Sequence, residues 1–223
     1  VSEIDWAKAS GLDPATYGEL ERVVDDVDVK TIAELWGRYE DLCHTKRIID
    51  FDDVLSLTVG MLSSRPDVLT KVRARYSWFT VDEFQDITPL QNVLLNLWVG
   101  DREELCVVGD PSQTIYSFAG ATPVFLNTFT QRFPEAQVIR LSTGYRSTPE
   151  ITFAANSLLR TGAMGQELVA FNSHGSKPSV QGFRDEQAEI AGILSDITAL
   201  LTAGTAPQEI AVLARTNAQL SAV

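Results

Sequence analysis

Residues 78–86 read WFTVDEFQD, a short apolar run that ends in acids. Such a run predicts a buried strand, and carboxylates directly after it would lie at the carboxyl edge of a parallel sheet, where α/β proteins bind ligands. One carboxylate there can hold Mg²⁺, usually through water, and its neighbour can orient an attacking water. Because acidic strand ends are common, a solvated strand end is the alternative interpretation of these acids.

Strands and helices alternate on both sides of this stretch. Thr88-Pro89 begins a helix that Gly100 ends, and residues 105–108 form a second apolar strand. Another helix begins at Thr122-Pro123, and residues 138–141 form a third strand. Strands separated by helices of this length predict an α/β fold with a parallel sheet.

The flanking regions are mainly helical. The chain is helical to about residue 49, Asp50 caps a helix through Leu62, and Pro66 suits the first turn of another. A second unit begins near Ser147, which has the form of a capped helix start with Glu150 three residues on.

This second unit continues with alternating elements. It holds a strand near Val180, a helix over 190–201 and a strand over 210–213. Thr216 would cap a further helix.

The loop over 107–121, VVGDPSQTIYSFAGA, follows the second strand and therefore leaves the same sheet edge as the acids. Its glutamine, Gln113, can contact a terminal phosphate and so report whether it is present. Tyr116 and Phe118 in the same loop can stack on bases of single-stranded DNA, each stack being worth about 1–3 kcal/mol. Core packing is the alternative for such an aromatic pair.

A tyrosine and an arginine follow the predicted third strand. Arg146 is permanently charged and can fork onto phosphate oxygens, and Tyr145 can stack on an adenine ring. Taken alone, an exposed pair of this kind carries no functional information.

Composition limits the function classes. The 223 residues are 44% hydrophobic and 22% charged, as in a globular protein, and no apolar run reaches the roughly 18 residues of a membrane helix. The net charge of −12 opposes general attraction to nucleic acid, so any such binding must rest on local sites. Cys43 and Cys106 are predicted to be two buried thiols in a reducing compartment rather than metal ligands.

In this order, the motifs resemble one family. The segments VDEFQD (81–86), GDPSQTIYSFAGA (109–121) and YRSTPEI (145–151) resemble motifs II, III and IV of superfamily 1A helicases of the UvrD/Rep/PcrA group. DFDDVL (50–55) and AVLARTNAQ (211–219) are similar to two further segments of that group. The resemblance extends from about residue 30 to the end of the chain, and five ordered motifs make coincidence improbable.

The resemblance implies a nucleotide site that uses ATP and Mg²⁺. Asp82 would bind Mg²⁺, and Glu83 would be the general base for the attacking water. Gln113 would sense the γ-phosphate, Arg146 would stabilise charge on it, and Tyr145 would stack on adenine.

The resemblance also implies a DNA site. Tyr116 and Phe118 would face single-stranded DNA, and Arg215 and Asn217 would contact it from the second unit. The parent would be a cytoplasmic 3′→5′ helicase in DNA repair, acting on single strands and duplex junctions, and is expected to be a monomer.

The implied fold is a RecA-like parallel sheet with flanking helices. Residues 1–45 would end an inserted helical subdomain, 46–146 would be part of the first RecA-like ATPase domain, and 147–223 would begin the second. No G-x-x-x-x-G-K-S/T sequence occurs, so the phosphate-binding P-loop of this family is missing and the isolated chain is expected to be inactive.

Three positions depart from the family pattern. Thr114 replaces the usual Ser, Ala119 stands where Arg is frequent, and Gly144 stands where Asn is common. The last two put in doubt one charged contact near DNA and the setting of Tyr145.

Two alternatives belong to other functional classes. The chain could be a truncated, non-catalytic module that binds DNA or a partner helicase. Less favoured is a metal-dependent nuclease whose metals would be held by clustered acids, namely Asp50, Asp52, Asp53, Asp82, Glu83, Asp86 and Asp110.

Overall fold

The computed structural model describes residues 2–24, 27–161 and 166–220. The helices there are α1 (Ser2–Ala9), α2 (Pro14–Tyr17), α3 (Val29–Lys46), α4 (Phe51–Ser64), α5 (Pro66–Arg75), α6 (Pro89–Val99), α7 (Val124–Asn127), α8 (Phe129–Arg132), α9 (Pro149–Thr161), α10 (Glu186–Thr202) and α11 (Asn217–Leu220). The strands are β1 (Val23–Val24), β2 (Val27–Asp28), β3 (Phe79–Val81), β4 (Leu105–Val107), β5 (Thr143–Gly144) and β6 (Val169–Ala170). The fold is therefore mixed α/β.

The first helices form a small core of their own. Ala7, Tyr17, Val29 and Trp36 are buried together, and the rings of Tyr17 and Trp36 meet edge to face at 6.1 Å. This core fixes α1 and α2 against α3, the longest helix of the segment.

The helix predicted after Asp50 is confirmed. Asp50 accepts from the backbone N–H of Asp53 at 2.8 Å, and the Asp53 side chain accepts in return from Asp50 N–H at 3.0 Å. This reciprocal cap begins α4, which packs along α6. Pro66 begins α5, also as predicted.

The two central strands pair in parallel, as predicted. Phe79, Thr80 and Val81 lie opposite Leu105, Cys106 and Val107. One face of this pair packs on a cluster that is centred on three buried side chains, Phe84, Leu95 and Val99. Helix α6 joins the strands, with Thr88 as its cap and Gly100 at its end.

The predicted third strand over 138–141 is wrong. Val138, Ile139 and Leu141 are exposed, and the strand lies instead at Thr143–Gly144. That strand pairs in parallel with Val169–Ala170 rather than joining the central pair. An apolar run becomes a strand only where a neighbouring backbone completes its ladder, and among the described residues 138–141 has none.

One of the two thiols predicted to be buried is exposed. Cys43 is buried in α3, whereas Cys106 is exposed on β4. Alternate strand residues point to opposite faces, so Leu105 and Val107 pack on the buried cluster while Cys106 faces away from it.

The second unit is built on α9. The buried Asn156 side chain donates to the carbonyl of Leu168 at 2.8 Å and accepts from its N–H at 3.1 Å, which ties α9 to the start of β6. The helix predicted over 190–201 is confirmed as α10, with Asp185 as its cap.

Other predictions for this unit are wrong or changed. Neither the Val180 region nor 210–213 is a strand, and Val180 and Leu213 are exposed, since no backbone pairs with them among the described residues. Glu150 does not complete the predicted capping box, because its carboxylate accepts instead from Gly175 N–H at 2.9 Å and contacts His174 Nδ1 at 2.7 Å. These contacts hold the pKa of Glu150 at about 2.

No helix among the described residues is long and apolar enough to cross a membrane.

Candidate functional site

The central parallel pair extends beyond its last strand residues. Val108 N–H donates to the carbonyl of Val81 at 2.8 Å, and Phe84 N–H donates to the carbonyl of Val108 at 2.9 Å. The two loops that follow β3 and β4 therefore leave one sheet edge side by side, as the sequence predicted.

The two acids after β3 are exposed at this edge. Asp82 Oδ1 accepts from the N–H of Glu83 at 3.0 Å. Glu83 has φ 52° and ψ 40°, the left-handed conformation that costs an L-residue about 1–2 kcal/mol. Backbone strain of this kind concentrates at functional sites, where the surrounding structure maintains it.

Gln85 holds the two loops together. Its side chain is 1% exposed, and its Nε2 donates to Glu83 Oε2 at 2.7 Å. Its Oε1 accepts from the N–H of Asp110 at 3.0 Å, in the loop after β4. The sequence motifs did not single out Gln85, although it lies two residues after Glu83. Its partner on the other loop, the N–H of Asp110, is 25 residues away and is brought close only by the fold.

A glycine makes room for this side chain. A Cβ at Gly109 would lie 2.6 Å from Gln85 Oε1 and 3.2 Å from Gln85 N. Both distances are shorter than a normal contact, so only glycine lets the loop after β4 approach Gln85 this closely.

Asp110 positions the predicted phosphate sensor. Its Oδ2 accepts from Gln113 Nε2 at 3.0 Å, while its Oδ1 accepts from Ser112 N–H at 2.9 Å and caps a short 3-10 turn. Glu83, Gln85, Asp110 and Gln113 thus form a continuous chain of hydrogen bonds across the two loops.

The aromatic pair of the second loop is exposed. Tyr116 is 52% and Phe118 73% exposed, with ring centroids 6.1 Å apart, so core packing does not account for them. Gly120, at φ 92°, brings the end of this loop against α1, where a Cβ would lie 3.2 Å from Ala9 Cβ. Contact with α1 therefore fixes the end of the loop, while the rings of Tyr116 and Phe118 are exposed to solvent.

The tyrosine and arginine of the second unit follow β5. The Tyr145 ring lies 4.9 Å from that of Phe171, and the Tyr145 carbonyl accepts from Asn172 Nδ2 at 2.8 Å. Arg146 is exposed, and so are Arg215 and Asn217, which lie beside and at the start of α11.

No polar contact that the structure describes joins the two groups of predicted residues. Among the described residues, no hydrogen bond or ion pair joins the chain up to 136 with the chain from 142 onward. Tyr145 and Arg146 therefore make no polar contact with Glu83 or Gln113.

A buried lysine forms ion pairs with the acids that cap α4. Lys8 Nζ lies 2.8 Å from Asp50, 2.7 Å from Asp53 and 2.8 Å from Glu40. Burial alone would lower the pKa of Lys8, but these hydrogen bonds outweigh it and raise the pKa well above its ordinary value. Asp50 and Asp53, two acids that a nuclease site would use, are therefore already paired.

The acids at the sheet edge offer one or two ligands for a magnesium ion, although the described residues contain no group of three or more potential metal ligands. Asp82 and Glu83 are exposed and offer carboxylate oxygens, which Mg²⁺ prefers. Asp86 Oδ1, in the same loop, is buried without a hydrogen-bond partner, as for an atom that a bound water or ion would satisfy.

A parallel strand pair that carries adjacent acids on one loop, and an amide and exposed aromatics on the next, is consistent with a RecA-like α/β fold. Comparison with known proteins agrees. The sequence profile of the UvrD/REP helicase N-terminal domain matches residues 2–134, and that of the UvrD-like helicase C-terminal domain matches residues 139–223. The chain belongs to the UvrD/REP helicase family, as the motifs predicted.

Individual relatives carry helicase names. The chain is 41% identical over 228 residues to the ATP-dependent DNA helicase UvrD2 of Mycobacterium tuberculosis, covering 97% of this chain and 33% of the relative. It is 33% identical over 219 residues to the ATP-dependent DNA helicase PcrA of Leuconostoc citreum, covering 97% and 29%. It is 33% identical over 216 residues to UvrD1 of Mycobacterium leprae, covering 91% and 28%. The chain thus spans about a third of the length of these relatives.

Proposed function

We propose that this chain is a segment of an ATP-dependent 3′→5′ DNA helicase that couples ATP hydrolysis to movement on single-stranded DNA. The observation that carries the proposal is the hydrogen-bond chain from Glu83 to Gln113. It links the acids suited to nucleotide chemistry with the loop that exposes Tyr116 and Phe118. A motor needs such a link, because its affinity for DNA must change with the nucleotide that is bound.

The nucleotide side uses five residues of this chain. Asp82 would hold the magnesium ion, which when bound with ATP supplies charge neutralisation on the phosphates. Glu83 would orient the attacking water and accept its proton. Gln113 would contact the terminal phosphate, Arg146 would stabilise its developing charge, and Tyr145 would stack on the adenine ring.

The DNA side uses Tyr116 and Phe118 as stacking platforms, with Arg215 and Asn217 as polar contacts from the second unit. Arg146 and Tyr145 would reach the nucleotide when the second unit closes on the first. Such closure, driven by nucleotide binding, is the movement that we propose for the motor.

Domain limits and setting belong to the same proposal. Residues 1–45 would end a helical subdomain, 46–146 would belong to the first RecA-like domain, and 147–223 would begin the second. The full helicase would act as a monomer in the cytoplasm, on single strands and duplex junctions in DNA repair.

The test is ATP hydrolysis by the full helicase, which includes the segments flanking this chain, with and without single-stranded DNA. We expect DNA-stimulated turnover, and we expect Glu83→Gln to lower it about 10²–10⁴-fold, the usual loss for a general base. Glu135→Gln, an exposed acid away from the site, is the matched control and should leave turnover unchanged.

The chain by itself should not hydrolyse ATP, since it contains no P-loop sequence to bind the phosphates. Full turnover in the Glu83→Gln helicase would refute the assigned chemistry. A full helicase with no turnover that still bound DNA would favour a non-catalytic binding module.

A further inference from the structure

Gln85 is the most deeply buried polar side chain described, and it lies between the two functional loops. Burial of an amide costs free energy unless its polar atoms are bonded. Gln85 uses both ends of its amide, and each end bonds a different loop.

The chemistry of its partners requires an amide at this position. Glu83 offers only a carboxylate, which must receive a hydrogen, whereas Asp110 offers a backbone N–H, which must donate one. A methionine side chain, of similar size, can serve neither partner, and an asparagine side chain is too short to reach both. Only a side-chain amide of this length meets both needs.

The bond to Glu83 also bears on its strained backbone. Glu83 lies in the left-handed region, and its N–H bonds Asp82. The 2.7 Å bond from Gln85 fixes the far end of the same side chain. Residue 83 is thus held at two points, at its backbone N–H by Asp82 and at its carboxylate by Gln85.

We propose that Gln85 is a positioning residue for hydrolysis: it orients the Glu83 carboxylate and locks the loop after β3 to the loop after β4. The inference rests on the proposed function of Glu83 as general base. A shift of the DNA-facing loop would then pass through Asp110 and Gln85 to Glu83 without any direct contact between DNA and nucleotide.

The experiment compares Gln85→Met and Gln85→Asn in the full helicase. Both lose the bridge between Glu83 and Asp110, but Gln85→Asn keeps an amide in the buried site, so it tests the inference even if the methionine variant folds poorly. Steady-state ATPase with single-stranded DNA gives kcat and KM for ATP, and thermal unfolding gives Tm. Leu95→Ala, which opens the apolar cluster beside Phe84 without touching the polar chain, is the control for a purely structural defect.

We expect kcat to fall about 10- to 100-fold in both Gln85 variants, the usual cost of losing a group that orients a functional residue. KM for ATP should stay unchanged, and Leu95→Ala should lower Tm at least as much while retaining kcat. Normal kcat in a folded Gln85 variant, or an equal loss in Leu95→Ala, would overturn the inference.

The parallel Glu83→Gln variant separates the two ideas. If Glu83→Gln is inactive and the Gln85 variants are fully active, only the positioning role fails. If Glu83→Gln is active, the proposed function of Glu83 fails and the inference falls with it.

Discussion

At the scale of single residues, backbone conformation and one missing side chain set the geometry of the site. Glu83 adopts a left-handed backbone conformation that glutamate disfavours. Its carboxylate accepts a hydrogen bond from the buried side-chain amide of Gln85. Gly109, by contrast, is needed because of space: its neighbour Gln85 occupies the volume that a Cβ would need. The loops can meet only with both features in place.

Gly109→Ala should lower the free energy of unfolding by about 1–3 kcal/mol, because the new methyl group would lie 2.6 Å from Gln85 Oε1 and 3.2 Å from its backbone N. It should also impair DNA-stimulated ATPase in the full helicase, since the clash pushes the two loops apart. Denaturant unfolding monitored by circular dichroism measures the first effect.

The matched control is Gly60→Ala in α4, where nothing lies within 4 Å of the added Cβ. That change should stabilise by about 0.5–1 kcal/mol through helix propensity. Equal stability changes in the two alanine variants would contradict the steric argument.

At the scale of elements, α1, α3 and α4 are joined by a single cation. Lys8 in α1 meets Glu40 in α3 and the acids that cap α4, and Tyr39 of α3 donates its hydroxyl to Asp50 at 2.9 Å. Since the end of the loop that carries Tyr116 and Phe118 packs on α1 at Gly120, this cluster also supports that loop.

Lys8→Met should destabilise the protein by about 3 kcal/mol, because it leaves partly buried carboxylates without a counter-charge. Chemical denaturation of wild type and variant measures the difference. Asp67→Asn, which breaks the exposed ion pair with Arg65, is the control and should cost far less, because solvent screens that pair. A Lys8→Met effect no larger than this control would refute the role of the cluster.

The same cluster predicts how stability depends on pH. Hydrogen bonds from Lys8, Asp53 N–H and Tyr39 outweigh burial and lower the pKa of Asp50, while the pKa of Lys8 is raised. The stabilisation by ionised Asp50 is therefore full above its ordinary pKa of 3.8 and is lost as pH falls through the lowered value. The stabilisation by charged Lys8 is full below 10.5 and is lost only as pH rises through the raised value. The difference in free energy of unfolding between wild type and Lys8→Met should accordingly be constant near neutral pH and become smaller in acid.

At the scale of the whole molecule, the net charge does not favour nucleic-acid binding, so the proposed recognition depends on local residues. The net charge of −12 provides no general attraction to a phosphate backbone, so the proposed DNA binding would depend on stacking and a few local cations. The residues proposed for these two roles, exposed aromatics in the first unit and an exposed arginine in the second, lie on different units.

Tyr116→Ala and Phe118→Ala should each weaken binding of single-stranded DNA to the full helicase by about 1–3 kcal/mol and leave its salt dependence unchanged, because stacking releases no counterions. Arg215→Ala should instead reduce the salt slope by roughly 0.7, the value for one phosphate contact on a single strand. Fluorescence anisotropy at several salt concentrations measures both. Arg65→Ala is the control and should leave the salt slope unchanged. Equal salt slopes for Arg215→Ala and Arg65→Ala would contradict a phosphate contact by Arg215.

The sequence by itself determined the family and those parts of the local structure that depend on neighbours in the chain. Apolar runs that end in acids or a turn predicted β3, β4 and their shared edge, and the caps at Asp50 and Thr88 predicted the helix starts, because these features depend on neighbours in the chain. The ordered motifs predicted the UvrD/REP family, which the profiles over 2–134 and 139–223 confirmed.

Only the tertiary structure decided the features that depend on partners distant in sequence. The apolar run over 138–141 lacks a strand partner, Cys106 faces away from the buried cluster, and Lys8 finds its acids 42 and 45 residues away. Gln85 gained its importance from an N–H 25 residues further on. Hydrogen bonds and burial are properties of spatial neighbours, and pattern along the chain does not specify which neighbours the fold will bring together.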